Sequence, residues 1–327
     1  MRILLALESL VLISSVFSSA SYTEGFLAVV NSGESTIALV NPERPEAIKK
    51  ITTRKHPQDI VISPDGSLAY VAEMGTTEAP GNTVAVIDLR SRQIVKRFSL
   101  GRATLPHLLA LSRAGRTLWA ACAPENGIVE LDTRDGVVRK IWDTQQKGSY
   151  LFVVTPDERK LYVANFDMGT VSVISRSDGS VRIVVLGGQP IGIDVSPDGG
   201  EVWVSNFQNS SIAVIDTATD RIRQTFPAAG DGPARVKFTP DGRQVWITQS
   251  RSNELVIFAA AQHRIIRRIP TGRFSKGLLI LPDGQHGFVS AMEDNEVEEV
   301  DVAAGRVLER MRTGTAPEGL AWISHQL

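Results

Sequence analysis

The feature that most constrains the fold of this chain is a repeat of about 41 to 49 residues. Each copy carries a short turn sequence, seen most clearly as "SPDG" or "TPDG". The residues that precede these turns, here called anchor residues, are Ser63, Ser112, Thr155, Ser196, Thr239 and Leu281. They lie 49, 43, 41, 43 and 42 residues apart. A period of this length predicts a stack of small structural units in which each unit buries its apolar faces against its neighbours.

Each copy contains four short runs with the alternation typical of β-strands. In the copy around Ser196 they are "IGIDV", "EVWVS", "SIAVID" and "RIRQTF", with turn-forming residues between them. Ten residues after each anchor we predict the end of a second strand, at Glu73, Cys122, Asn165, Asn206, Gln249 and Ala291. The first copy has a longer loop at this point, "EMGTTEAPGNT". Four strands per period predict one β-propeller blade.

The two ends of the chain complete the count of blades. "APEGLAWI" near the C-terminus matches the first strand of a copy, and "FLAVVNSGESTIALVN" near the N-terminus matches the second and third strands. Joined, they form one more unit, and the spacing from Leu281 to Ile323 is again 42 residues. We therefore predict an all-β fold, a seven-bladed β-propeller of four-stranded blades over residues 21–327. The N- and C-terminal strands share one blade, which closes the ring and removes exposed sheet edges.

The motifs resemble a known family of repeat proteins. "YVANFDMGTVSVIS", "WVSNFQNSSIAVID" and the repeated "SPDG" are similar to the YVTN family of seven-bladed propellers. This resemblance covers essentially residues 22–327 and implies an exported, periplasmic or cell-surface protein. The family includes surface-layer components and accessory proteins of quinone-linked alcohol catabolism. The sequence departs from the family pattern at Glu73, Cys122, Gln249 and Ala291, where the family has Asn.

The N-terminal segment predicts export. Residues 1–20 contain one basic residue, an apolar run and the small residues Ser18 and Ala20 before a possible cleavage point, which is the layout of a signal peptide. We expect no transmembrane segment once it is removed, and a periplasmic or secreted protein. Cys122 is the only cysteine in the sequence, so an internal disulfide is not possible.

The mouth of the central channel is the candidate ligand site. The positions four and five residues before each anchor begin the innermost strands, and loops on a rigid scaffold commonly carry function. These positions and the loops between second and third strands hold dissimilar polar residues. The candidate ligand-binding residues are Asp59, Glu73, His107, Tyr150, Arg235, Lys276 and Glu318.

Part of this pattern also has a purely structural explanation. The aromatic residue seven places after each anchor (Tyr70, Trp119, Tyr162, Trp203, Trp246 and Phe288) predicts packing between blades. Asn165 and Asn206 are also well suited to hydrogen-bond loop backbone.

We hold two main hypotheses for function. The first is an exported binding or interaction module that uses the channel mouth for a small molecule or a protein partner, without a reaction. The second is a lactonase-like hydrolase in which a divalent metal, calcium being the candidate, is held by Asp59, Glu73, Asn165, Asn206 and Glu318. The chain contains no GxSxG, HExxH, P-loop or CxxC motif, and its sequence specifies no cofactor and no catalytic residue.

Charge argues against a general affinity for nucleic acid. There are 35 basic and 36 acidic residues, so the formal net charge is −1. A third hypothesis, polyanion binding, would rest on the locally basic segment "RRIPTGRFSK" with Arg235, Arg251 and Arg264. We do not favour it, and we expect a monomer.

Overall fold

The computed structural model describes residues 25–124 and 126–324, which form 28 strands and no helix. The strands are numbered β1 to β28 in chain order and group into seven four-stranded antiparallel sheets. The predicted seven-bladed propeller is confirmed. The predicted signal peptide at residues 1–20 lies outside the described residues.

Six blades are continuous in the chain. The first contains β4 (Pro57–Ile62), β5 (Leu68–Gly75), β6 (Pro80–Asp88) and β7 (Gln93–Ser99), and the second contains β8 (Pro106–Leu111), β9 (Thr117–Cys122), β10 (Gly127–Asp132) and β11 (Val138–Asp143). The third contains β12 (Ser149–Val154), β13 (Lys160–Asn165), β14 (Thr170–Ser175) and β15 (Val181–Val185), and the fourth contains β16 (Pro190–Val195), β17 (Glu201–Asn206), β18 (Ser211–Asp216) and β19 (Arg221–Pro227). The fifth contains β20 (Pro233–Phe238), β21 (Gln244–Gln249), β22 (Glu254–Ala259) and β23 (Arg264–Pro270), and the sixth contains β24 (Ser275–Ile280), β25 (His286–Ala291), β26 (Glu296–Asp301) and β27 (Arg306–Met311).

The seventh blade is assembled from both ends of the described chain. Its strand order is β28 (Pro317–Ile323), β1 (Phe26–Asn31), β2 (Thr36–Asn41) and β3 (Arg44–Thr52). β28 and β1 pair antiparallel, with Leu27 opposite Trp322. The backbone N–H of Ser32 also donates to the carbonyl oxygen of Ala316 at 3.1 Å. The ring therefore closes through main-chain hydrogen bonds, as the sequence predicts.

The Pro-Asp-Gly turns are held by a recurring hydrogen-bond pattern. At the fourth blade, Ser196 Oγ donates to Asp198 Oδ1 at 2.5 Å, and the same oxygen accepts the backbone N–H of Gly200 at 2.9 Å. Gly199 has φ of 76°, a conformation that residues with a Cβ adopt with difficulty. The turn sequence thus fixes the register between the first and second strands of a blade.

Five of the six predicted ends of second strands are confirmed, and the sixth is wrong by two residues. β5 continues past Glu73 to Gly75, where it still pairs with Pro80 of β6. The extra residues of this copy extend the hairpin, so that the ladder ends later than in the other blades.

Large aromatic side chains fill the spaces between blades. The six aromatic residues predicted to pack there are all buried: Tyr70, Trp119, Tyr162, Trp203, Trp246 and Phe288. Trp203 of the fourth blade makes edge contacts with Phe238 and Phe258 of the fifth, at 5.8 and 6.1 Å between ring centroids. Edge-to-face geometry of this kind adds to the stabilisation from apolar burial.

The innermost strands approach one another closely around the channel. Gly192 on β16 has no side chain, and a Cβ there would overlap the carbonyl oxygen of Ala234 on β20. Ser205 Oγ joins the two strands, since it accepts the N–H of Gly192 at 2.8 Å and donates to that carbonyl oxygen at 3.0 Å. A small residue is therefore required here.

We predict that Gly192→Ala destabilises the protein by about 1–3 kcal/mol, because the added methyl group forces apart two backbones in a packed core. The control is Gly200→Ala, where the nearest atom to an added Cβ is a side-chain oxygen of Asp198 at 3.4 Å. Thermal unfolding should show a melting temperature several degrees lower for Gly192→Ala than for Gly200→Ala. Equal melting temperatures would contradict the close approach of β16 and β20.

Candidate functional site

The central channel contains two adjacent cavities, which share lining residues. The upper chamber, of about 290 Å³, lies at the end where second strands finish, and its lining includes Met74 and Met292. The lower chamber, of about 440 Å³, reaches the Pro-Asp-Gly turns at Pro197 and Pro240. Arg235 and Glu318 line both chambers, so they mark the boundary between them.

Glu318 is the centre of a satisfied hydrogen-bond network at this boundary. Its side chain is 3% exposed. Oε2 pairs with Lys276 Nζ at 2.6 Å and accepts a hydrogen bond from Gln58 Nε2, while Oε1 accepts one from Ser32 Oγ at 3.1 Å. Because a buried carboxylate is tolerated only when it is paired and hydrogen-bonded, these contacts hold Glu318 and Lys276 in place. They leave neither charge uncompensated.

Arg235, by contrast, has no such partner. Its backbone N–H donates to Thr248 Oγ1 at 3.0 Å. Within residues 25–124 and 126–324, no acceptor hydrogen-bonds its guanidinium group and no carboxylate forms an ion pair with it. A partly buried guanidinium presents five N–H donors in a planar fork that suits carboxylates and other oxyanions. Arg235 is thus a positive charge available to a ligand.

Asp59 is a carboxyl group without a cationic partner in the lower chamber. It is 7% exposed, and its Oδ2 accepts the backbone N–H of Leu109 at 2.9 Å. No lysine, arginine or histidine of the described chain forms an ion pair with it. Burial raises the pKa of Asp59, and the nearby positive charge of Arg235 only partly opposes this effect.

Aromatic and apolar side chains form one wall of the upper chamber. The His107 ring stacks on Tyr150 with centroids 4.3 Å apart, and Phe166 lies 5.3 Å beyond Tyr150. Burial, together with the positive charge of Lys276, lowers the pKa of His107 to about 4. The imidazole is therefore neutral at pH 7 and adds no charge to this wall.

The structure brings six of the seven predicted ligand-binding residues to the channel. His107, Tyr150, Arg235, Lys276 and Glu318 line the upper chamber, and Asp59 lies just below it. The seventh, Glu73, is 1% exposed and is bound to Arg97 at 3.0 Å and Thr83 Oγ1 at 2.7 Å, both on the outer strands of its blade. Glu73 therefore lines neither chamber, and its carboxylate is held by Arg97 and Thr83 within the blade.

The five predicted metal ligands are not assembled into one site. Asn165 hydrogen-bonds Thr170 Oγ1 and Ser172 Oγ within its own blade, and Asn206 donates to the carbonyl oxygen of Gly187. Of the set, only Asp59 and Glu318 lie at the channel, and Glu318 is already occupied by its partners. In the described residues no three His, Cys, Asp or Glu side chains form a group that could hold a metal ion. These residues do not fit the calcium site of the hydrolase hypothesis.

Sequence reasoning missed several residues of the upper chamber. Gln58 occupies the same slot as His107 and Tyr150, five residues before its anchor, and could have been included on that basis. Met74 and Met292 each follow the predicted end of a second strand by one residue, and that spacing was the available signal. His56, with φ of 53°, gave no comparable signal.

The basic segment of the fifth and sixth blades does not form one continuous surface. Arg264, Arg267 and Arg268 lie on the outer strand β23, whereas Arg235 faces the channel. Arg251 stacks on Phe207 and pairs with Asp231 at 3.5 Å. This arrangement offers no single groove lined by all of the positive charges.

A family model described as a YNCE-like beta-propeller matches residues 195–286, from the end of β16 to the start of β25. This match and the seven closed blades are consistent with a YVTN-type repeat propeller. No curated protein matches the sequence of this propeller. None of its described residues forms a helix long and apolar enough to cross a membrane.

Solved structures resemble this seven-bladed propeller over most of its length. A functionally unknown protein from Desulfotomaculum acetoxidans is 14% identical, with a TM-score of 0.77, and the match covers 91% of this chain and 98% of that one. A periplasmic gluconolactonase from Pseudomonas aeruginosa is 18% identical, with a TM-score of 0.74 and coverage of 91% and 99%. A proposed 6-phosphogluconolactonase from Bacteroides uniformis is 15% identical, with a TM-score of 0.74 and coverage of 92% and 100%. At these identities the likeness shows the fold alone.

We predict that Asp59→Asn stabilises the protein at neutral and alkaline pH. Because the folded-state pKa of Asp59 is raised, ionisation of this carboxyl group reduces stability as pH rises from the ordinary value of 3.8 through the folded-state pKa. Asn keeps an acceptor for the N–H of Leu109 and carries no charge, so the gain should reach about 1 kcal/mol or more at pH 8 and vanish near pH 3. Urea unfolding across this pH range measures it.

The control for this experiment is Asp194→Asn. Asp194 also lines the lower chamber and accepts a backbone N–H, that of Phe238 at 2.8 Å, but it has Lys237 at 3.7 Å as an ionic partner. We expect no stabilisation from this change. A difference in unfolding free energy between Asp59→Asn and the wild-type protein that does not vary with pH would contradict a raised pKa for Asp59.

Proposed function

We propose that this propeller binds a small organic anion at its channel mouth. The observation that carries the proposal is the guanidinium group of Arg235, which is partly buried, faces both chambers and forms no ion pair in the described chain. Removing an unpaired charge from water is costly. An anionic ligand would supply the missing partner and gain a charge-assisted hydrogen bond.

The upper chamber supports an organic ligand in preference to a bare ion. Apolar surface next to Arg235 is supplied by Met74, Met292, Tyr150 and Ile191. A cavity of about 290 Å³ is near the lower end of the range for small-molecule sites, which are commonly apolar with a few placed polar groups. The ligand would therefore carry its anionic group toward Arg235 and an apolar body toward this wall.

This function belongs outside the cytoplasm in our proposal. The N-terminal sequence predicts export, and one protein with a similar fold is a periplasmic gluconolactonase. Fractionation of cells that produce the full chain tests this location, and recovery of the chain with an intact N-terminus from the cytoplasm alone would oppose it.

We predict that Arg235→Gln weakens the binding of small carboxylates by about tenfold or more, since a hydrogen bond to a charged group contributes about 1.5–3 kcal/mol. Isothermal titration calorimetry with gluconate, phenylpropanoate and phenylalanine measures the effect. Arg251→Gln is the matched control, because Arg251 stacks on Phe207 outside both chambers. Binding that is equally weakened in both variants, or in neither, contradicts this site.

Lactone hydrolysis is a second candidate for the same cavity. Two of the similar structures bear lactonase names, and the neutral His107 imidazole beside Arg235 can accept a proton from a water molecule. Arg235 would orient the lactone through its oxygen atoms. No metal takes part in this proposal, because the carboxylates present do not form a suitable site.

The test of this candidate is hydrolysis of glucono-δ-lactone at constant pH, followed by titration of the acid released. We expect a rate above the uncatalysed one that falls at least tenfold in His107→Gln and in Arg235→Gln and is unchanged by a chelator. A rate equal to that of buffer alone would remove this candidate and leave the binding function in place.

A further inference from the structure

We propose that the ligand of the channel is a zwitterion, specifically an α-amino acid with an apolar side chain. This inference rests on the proposed binding of a carboxylate by Arg235 and adds a second contact, between Asp59 and the ligand's ammonium group. The two residues line one cavity, one with an acidic and one with a basic side chain, and do not form an ion pair with each other.

The charges that line the channel fall into paired and unpaired groups. Glu318 is paired with Lys276 at 2.6 Å, and Asp194 is paired with Lys237 at 3.7 Å. Arg235 and Asp59 are left, one positive and one negative, among the charged groups that line the two described chambers. A ligand with a single negative charge would match Arg235 but leave Asp59 without a partner. A zwitterion matches both.

Comparison of Asp59 with Asp194 shows what is unusual about this acid. Each accepts the backbone N–H of a residue on the innermost strand of the next blade, Leu109 in one case and Phe238 in the other. Only Asp194 of these two has a lysine within ion-pair distance in the described structure. A lysine can therefore be placed beside an aspartate of an innermost strand, as Lys237 is beside Asp194. Asp59 has no such lysine in the described structure.

Because Asp59 is buried, the lack of a cationic partner destabilises the folded protein when this carboxyl group is ionised. A carboxyl group that is 7% exposed loses most of its hydration, and hydrogen bonds from backbone N–H groups replace only part of it. An ammonium group held against it would restore the missing compensation. The arrangement is consequently better suited to a bound ligand than to an empty cavity.

The positions of the chambers fit the three parts of an amino acid. Asp59 lies in the lower chamber, Arg235 lies at the boundary and the apolar wall lies above. With the α-carbon at the boundary, the ammonium group points down to Asp59 and the carboxylate meets Arg235. The side chain then occupies the space beside Tyr150 and Met292. Glu318, although paired, adds negative charge near the ammonium group.

The experiment compares three ligands that differ in one substituent. Phenylalanine carries an ammonium group, phenyllactate carries a hydroxyl group at the same carbon, and phenylpropanoate carries neither. Leucine, leucic acid and isocaproate form a parallel set for a smaller side chain. We expect the wild-type protein to bind an amino acid of at least one set ten to a hundred times more tightly than its two analogues, as measured by calorimetry.

Variants assign this preference to Asp59. Asp59→Asn should bring the affinity for the amino acid down to that for its hydroxy analogue, and it should leave the affinity for the unsubstituted acid within about twofold. Asp194→Asn should keep the preference, since Asp194 already has Lys237 as its partner. Circular dichroism and melting curves of each variant establish that it is folded.

The outcomes separate this inference from the proposed function. If the unsubstituted acids bind as tightly as the amino acids and Arg235→Gln abolishes that binding, anion binding stands and the zwitterion is wrong. The inference is also wrong if folded Asp59→Asn keeps the preference. If no member of either set binds and gluconate does not bind either, or if Arg235→Gln has no effect on the binding of any of them, the proposed function fails and the zwitterion fails with it.

Discussion

Closure of the ring by β28 and β1 is the interaction on which the rest of this structure depends. Each of the other six blades is a local hairpin arrangement, but the seventh exists only when residues about 290 positions apart pair with each other. Until they pair, β28 and β1 each lack a neighbour, and the inner strands have no fixed distance from the channel axis. Closure sets that distance, and with it the size of both chambers.

The channel shows how a rigid ring can present charges at a cost to its own stability. Backbones of adjacent inner strands approach so closely that a Cβ at Gly192 would overlap the neighbouring chain. Such a scaffold cannot relax to bring Arg235 and Asp59 together, because packed blades deform little. Charges that are not paired by the strands themselves are therefore kept apart, which leaves them available to a bound molecule. Pre-organisation of this kind lowers the entropy that binding must overcome.

The fold was predictable from sequence because each blade repeats the same local sequence pattern. A Pro-Asp-Gly turn, a buried aromatic residue and alternating apolar residues recur at a fixed spacing. The strands of a copy with an irregular sequence can therefore be predicted by aligning it with the other copies. The one wrong strand end, at Glu73, falls in the copy whose inserted residues extend the hairpin to Gly75. Repetition could not reveal that departure, since no other copy shares it.

The site was predictable in position and only partly in composition. The slot before each anchor correctly located Asp59, Arg235 and Glu318 at the channel, because strand direction alone places those residues. The spacing of residues along the chain could not show in which direction a side chain at the end of a strand points. Glu73 ends a strand near the same opening, but Arg97 on an outer strand draws its carboxylate away. Pairing of this kind depends on contacts between strands, and the repeat does not encode them.

The location of Glu318 on β28 has a consequence for how the channel is assembled. This residue joins Lys276 of the sixth blade to Gln58 of the first. Because β28 takes its place in the ring by pairing with β1, these three side chains meet only when the seventh blade has formed. The boundary between the two chambers is therefore a local signature of ring closure, and a molecule with an open seventh blade would lack it.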